Sequence, residues 1–205
     1  MSLMDQQNVT DPNLAYIANE FRGKTFGKEF VVEHGFLYDK ITIAAGGTLD
    51  ETTSLWFHNV GAGTSKTLAS TNLTTSRKLD APQAFSVRAI RLMYKSDILR
   101  ADLDTILNGY TFEIVIADAW KIRAPISMFP AGGGPTGATA AVVNNGFASS
   151  EAVRTLALPL LIESNASFYA RLVGGSNVLT VGGSSGTGFT CYCILEGLHA
   201  RPTVG

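Results

Sequence analysis

From residue 30 onward, short runs of alternating apolar and polar residues dominate this chain. Segments 30–32, 36–45 and 54–59 are rich in β-branched and aromatic residues, and Gly, Asp, Asn and Thr bound them. Such runs predict strands. Residues 83–95 make the longest candidate: Phe85, Val87 and Ala89 mark one face, Ile90, Leu92 and Tyr94 the other. The phase slip after Ala89 predicts a β-bulge or a strand covered on both faces. Residues 110–117 and 120–126 predict a hairpin. In it Phe112, Ile114 and Ile116 alternate with Glu113 and Val115, and Trp120, Ile122 and Ala124 alternate with Lys121 and Arg123. Further strands are expected at 155–163, 167–173 and 189–198, and a short one at 177–181. The shared period of two assigns Phe85, Val87, Phe112, Ile114, Ile116, Phe168, Ala170, Leu172, Phe189, Cys191, Cys193 and Leu195 to the core.

Two segments break this pattern. Ser96 is placed to cap a helix over 97–107, with Ile98, Leu99, Leu103, Ile106 and Leu107 as its apolar stripe and Asn108-Gly109 as its stop. Asp11-Pro12 starts another, followed by Leu14, Ile17 and Phe21 at helical spacing. A helix that short needs a surface to persist. Residues 1–35 therefore read as an arm and 36–205 as one β domain. Roughly eight to ten strands with one inserted helix predict an all-β fold, two packed antiparallel sheets or a barrel.

Charge changes the picture. Residues 127–205 carry only Glu151, Arg154, Glu163, Arg171, Glu196 and Arg201 as charged side chains. A free soluble surface usually spreads Lys and Glu widely. A stretch this poor in charge is buried or meets other protein. Net charge is −1 and the isoelectric point about 6.3, which makes no general case for nucleic acid or anionic membrane as partner. Residues 1–12 lack the pattern of a targeting segment, and no apolar run approaches the ~20 residues of a membrane span. Cys191 and Cys193 share one face of a strand, where their parallel Cβ vectors disfavour a disulfide; they read as reduced core thiols.

Strings that suggest catalysis are weak. Gly182-Gly183-Ser184-Ser185-Gly186 matches a nucleophile elbow, but the elbow needs a helix after the serine, and a strand is expected there. The stretch 61–67 has Ser65 where a phosphate-binding loop needs Gly before Lys66. His34, His58 and His199 have no metal-ligand spacing. Asp97, Asp102 and Asp104, with Arg100 nearby, read as a solvated helix face. Arg88, Arg91, Lys95 and Arg100 form a basic cluster without the interleaved aromatics of a single-strand binder. No cofactor, metal or small-molecule substrate is expected.

The stretches 159–172 (PLLIESNASFYARL) and 189–202 (FTCYCILEGLHARP) resemble the last strand pair of small single jelly-roll capsid proteins of tailless icosahedral bacteriophages. Residues 83–134, with their strand, short helix, hairpin and Gly-rich exit, resemble a phage structural protein as well. The resemblance covers about 36–202. It implies a jelly-roll β-sandwich and a non-enzymatic virion subunit, made in the host cytoplasm, whose partners are copies of itself and other virion proteins. Leu14, Ile17 and Phe21 are then candidate assembly contacts, together with the loops 131–149 and 174–187. A second expectation is a glycan- or receptor-binding sandwich of a spike or tail, using Trp56, Trp120 or Tyr169. A third is a cupin-like or hydrolytic enzyme. On the leading expectation, a fluorophosphonate probe leaves the chain unlabelled; labelling abolished by Ser184→Ala would overturn that.

Overall fold

The computed structural model describes residues 30–61, 63–94, 98–129, 136–137, 143–144, 153–175, 179–182 and 188–202. The expectations for Leu14, Ile17 and Phe21, for Lys95, Ser96 and Asp97, for Ser184 and for most of the loop 131–149 lie outside these residues. In chain order the elements are β1 (Phe30–Ile43), β2 (Thr48–Leu49), β3 (Ala84–Tyr94), helix α1 (Arg100–Gly109), β4 (Tyr110–Ile116), β5 (Ala119–Pro125), a 3-10 turn (Ile126–Met128), β6 (Thr136–Gly137), β7 (Val143–Asn144), β8 (Arg154–Ile162), β9 (Phe168–Gly174), β10 (Leu179–Thr180) and β11 (Phe189–Pro202).

The long strands form an antiparallel β-sandwich. The first sheet has the order β1-β11-β3-β8, and the second β5-β4-β9, extended beside β9 by a bridge between Trp56 and Ala170. The chain crosses repeatedly between them: β1, then Trp56, then β3, then β4 and β5, then β8, β9 and β11. The two inner faces share one apolar core. All twelve residues assigned to it from the period of two are buried, among them Phe85, Phe112, Phe168, Phe189 and both cysteines with no exposure at all. Cys191 and Cys193 are free thiols, and burial pushes both well above the ordinary thiol range.

Bulges set the phase. In β3 the irregularity falls at Arg88, between the pair of Val87 with Gly197 and that of Ala89 with Glu196 of β11, rather than after Ala89. One extra residue there reverses the alternation. Phe85 and Val87 therefore share the core with Ile90, Leu92 and Tyr94, and the two faces read from sequence are one. Opposite it, β11 shifts register between Glu196 and Gly197. A Cβ at Gly197 would collide with the backbone carbonyl of Ser86, so only glycine allows this approach.

Other boundaries moved for local reasons. Segments 30–32 and 36–45 merge into β1, which pairs with β11 from Phe30 onward. The expected strand 54–59 is reduced to the Trp56 bridge, because Phe57 and Asn59 adopt φ of 62° and 51°. Helix α1 begins at Arg100, since Leu99 is extended (φ −65°, ψ 138°) and offers no side-chain cap. Leu103 and Ile106 still form its buried stripe, and Ile98 is buried just before it.

Phe112 lies at the centre of the sandwich, with ring centroids 4.7 Å from Phe129 and 6.0 Å from Trp56. Phe112→Ala should cost about 3–5 kcal/mol in denaturant melts. A loss under about 1 kcal/mol would show that the inner faces repack around the cavity.

Candidate functional site

The outer face of the second sheet gathers charged and aromatic side chains from three strands. A tight turn at Ala117 and Asp118, with φ of 50° and 59°, joins β4 to β5. Left-handed conformation at both turn residues matches the twist of a hairpin. Just beyond it the register slips, so that Val115 pairs with Trp120 and Ile114 with Ile122, leaving Lys121 as the extra residue. This bulge separates Trp120 from Ile122 and Ala124, with which strict alternation would group it. Trp120 moves to the outer face and is 61% exposed.

Register then builds two rows across β5, β4 and β9. The first is Trp120, Val115 and Tyr169; the second is Arg123, Glu113 and Arg171. Glu113 accepts from Arg123 Nε at 2.5 Å through one oxygen and from Arg171 Nε at 2.9 Å through the other. Arg171 also meets Glu51 at 3.3 Å. The guanidinium of Arg123 lies 5.2 Å from the Trp120 ring centroid, and Arg77 lies 5.0 Å from that of Tyr169. Glu113 and Val115 are only 1% and 6% exposed, although both sit on an outer face, because these long side chains cover them.

The outer face of the first sheet mixes apolar and polar groups. Val32 packs with Ala84, Ala200 and Leu161 in a small cluster of its own. Phe36 (45%) and Met93 (40%) are exposed on this side. Polar pairs cross it as well: Arg91 Nη2 to Glu196 at 2.9 Å, Glu196 to His34 at 3.2 Å, and Lys40 Nζ at 5.9 Å from the Tyr192 ring centroid. At the sheet's edge, β8 runs from Thr155 to Ile162 without a charge, and Leu158 is 74% exposed.

A buried ion pair ties the connection after β2 to β1. Asp39 is fully buried; its carboxylate accepts from Lys66 Nζ at 2.6 and 2.8 Å and from the Phe57 N–H at 2.6 Å. Burial raises the Asp39 value above the ordinary carboxylate range, opposed by Lys66 and by the N–H groups of Phe57 and Lys40. Asn72 completes the clamp by accepting from the Tyr38 N–H at 3.0 Å and donating to the Phe36 carbonyl at 2.6 Å.

The remaining sequence candidates are dispersed. His34 faces Glu196, His199 faces Gln83 at 3.1 Å, and the buried Nδ1 of His58 has no hydrogen-bond partner among the described residues. Burial, with the charges of Arg77 and Lys66, lowers the His58 value. Among the described residues no group of His, Cys, Asp and Glu is arranged to hold a metal. Lys66 of the phosphate-loop string is committed to Asp39. Asp102 does not lie on a solvated face: it is buried and accepts from the Gly182 N–H at 2.6 Å, pinning the segment after β10 to the helix. Asp104 does lie at the surface, paired with Arg100 at 2.9 Å. Trp56, a candidate for an exposed glycan contact, is fully buried, and Tyr169 is half-buried under Arg77. A cleft of about 220 Å³ lies between Leu49, Glu51, Tyr110 and Gly174, and its polar groups serve turns and backbone. No protein-family model matches the chain, and no curated protein matches it.

Because Asp39 binds its proton more tightly folded than unfolded, its contribution to stability is full at low pH and lost as pH rises through the raised value. Removing the ammonium raises that value further. Lys66→Met should therefore destabilise by about 3–5 kcal/mol near neutral pH, and by clearly less near pH 4. Denaturant melts at the two pH values check this; equal losses would place the cost in packing rather than in charge.

Proposed function

We propose that the chain is a virion structural protein, a capsid subunit of jelly-roll type that assembles with copies of itself. The observation that carries this reading is strand β8. Among the described residues it is the edge of the first sheet, nine residues long; its last eight hold no charge, and only Ile162 among them is buried. Free edges in soluble proteins are normally guarded by charge or proline at exposed positions, because unpaired backbone groups recruit other chains. Pro159 is present here, but Leu156, Ala157 and Leu158 precede it unguarded. An apolar edge of this kind suits a subunit contact that excludes water.

The strand order supports the jelly-roll assignment. The order β1-β11-β3-β8 in one sheet, with the Trp56 bridge, β9, β4 and β5 in the other, is the order that a wrap of two interleaved Greek keys calls for. That fold hosts other functions, so the assignment to capsids rests on the edge and the charge-poor residues 127–205 as well. A net charge of −1 lets many copies approach with little repulsion. The arm, through Leu14, Ile17 and Phe21, is assigned to contacts between subunits.

Light scattering and negative-stain microscopy of purified protein test the reading; a strictly monomeric chain at high concentration would sink it. Leu158→Asp should change folding stability by less than about 0.5 kcal/mol, since the side chain is exposed, while reducing assembly. Deleting residues 1–28 should leave a cooperative thermal transition and weaken particles. If both variants assemble as well as the full chain, neither the edge nor the arm forms the contact.

A further inference from the structure

The platform on the second sheet has no part in the packing argument, and its chemistry is different. We propose that this outer face binds an acidic saccharide, with the Trp120 ring as the stacking surface and the guanidiniums of Arg123 and Arg77 as partners for its carboxylates.

Three observations carry the inference. The first is Trp120 itself. Large aromatic side chains are seldom left open to water, and this one is 61% exposed on a strand rather than on a loop tip. Its backbone is paired with Val115, and Arg123 lies against its ring, so the surface is held in place before any ligand arrives. The second is the covering of the strand between the two rings. Glu113 and Val115 sit on an outer face yet are only 1% and 6% exposed, so neighbouring side chains close over β4 between Trp120 and Tyr169. An open indole beside a covered strand suits the C–H face of a sugar ring.

The third is a mismatch of donors and acceptors. Both oxygens of Glu113 are taken, one by Arg123 and one by Arg171. Each guanidinium offers five N–H donors in a fixed fork. The Arg123 side chain is 51% exposed and spends one of them on Glu113. Arg77 makes no ion pair among the described residues and stacks on Tyr169. The face thus has spare cationic donors, those of Arg123 beside the open ring, while both oxygens of the Glu113 carboxylate between the strands are already filled. A carboxylate meets that demand bidentately, which a neutral sugar does not. Single-stranded nucleic acid fits less well, because it stacks successive bases on successive open rings along a basic groove. Here one ring is open and the chain is net negative.

The test uses the full chain in whatever assembly it forms. Oligomers of galacturonate, alginate and hyaluronan are titrated by calorimetry, with methyl-esterified oligogalacturonate and oligo-dT as comparison probes. Iodide quenching gives an independent readout, since Trp56 is buried and Trp120 is the accessible indole. At least one acidic oligomer should bind saturably, protect the fluorescence from iodide and weaken as salt rises. Trp120→Ala should lower its affinity about tenfold or more at an unchanged melting temperature, and Trp120→Phe should restore part of it. Arg77→Gln and methyl esterification should each weaken binding severalfold. The proposal is overturned if none of the three acidic oligomers binds, if Trp120→Ala binds as well as the parent, or if the esterified form binds equally. It also fails if oligo-dT binds more tightly than every acidic oligomer, which would make the face a nucleic-acid surface. None of these outcomes bears on particle formation, so the assembly reading stands or falls separately.

Discussion

The two sheets are locked together through one residue, Trp56. Its backbone N–H donates to the Ala170 carbonyl at 2.9 Å, which adds it to the second sheet beside β9. Its indole Nε1 donates across the sandwich to the Cys191 carbonyl at 3.0 Å, in the central strand of the first. The ring between these bonds meets Phe112 edge-on. An indole N–H without a partner in such an interior would carry a desolvation cost of about 1–3 kcal/mol. With the partner, a large apolar body and a directed bond sit in one side chain, and the spacing of the sheets is set where they cross. The next residue, Phe57, leaves at φ 62° and gives its N–H to Asp39, so the turn out of the sandwich is fixed by the same short segment.

What could be read from the sequence follows from that geometry. Residues whose inward direction depends only on their own strand, such as Phe112, Ile114, Phe168, Cys191 and Leu195, were legible from alternation because each lies in an unbroken run. Trp120 was not. Its face is decided by the extra residue Lys121, and a bulge is a property of two strands in register rather than of one string. Trp56 was misread for a related reason. The segment around it looks like a half-exposed strand, but left-handed residues on either side of His58 remove it from the ladder and leave the indole inside. Asp102 was misread because a carboxylate on an amphipathic helix ordinarily faces water; here a backbone N–H distant in sequence reaches it. Of the candidate site, Trp120 and Tyr169 were named from sequence as aromatics. The Arg123, Glu113 and Arg171 row was invisible, since three residues from three strands become neighbours only through pairing.

The row also shows how a buried charge can serve specificity of fold. A carboxylate with 1% exposure is costly unless its lone pairs are filled. Glu113 is satisfied only when β5 and β9 flank β4 in the observed register, because a slip by one residue turns Arg123 or Arg171 to the opposite face. The apolar pairs of the inner face are less particular, as Val, Ile and Leu tolerate exchange of neighbours. The ion row therefore discriminates between registers that the core alone would accept more evenly.

The same division runs through the whole surface. Charge is gathered on the outer face of β4, β5 and β9, where it is held in pairs and under rings. It is withdrawn from residues 155–162 of β8, the edge of the first sheet among the described residues. With a net charge of −1, no long-range field selects a partner for either region, and recognition must be short-ranged. At the edge that means backbone pairing and exclusion of water, which suits another copy of a rigid chain. On the platform it means stacking and forked hydrogen bonds, which suit a small polar ligand. The two demands are chemically opposed, and under the proposed assembly their placement on different sheets would keep the subunit contact dry while the charged face stays in solvent.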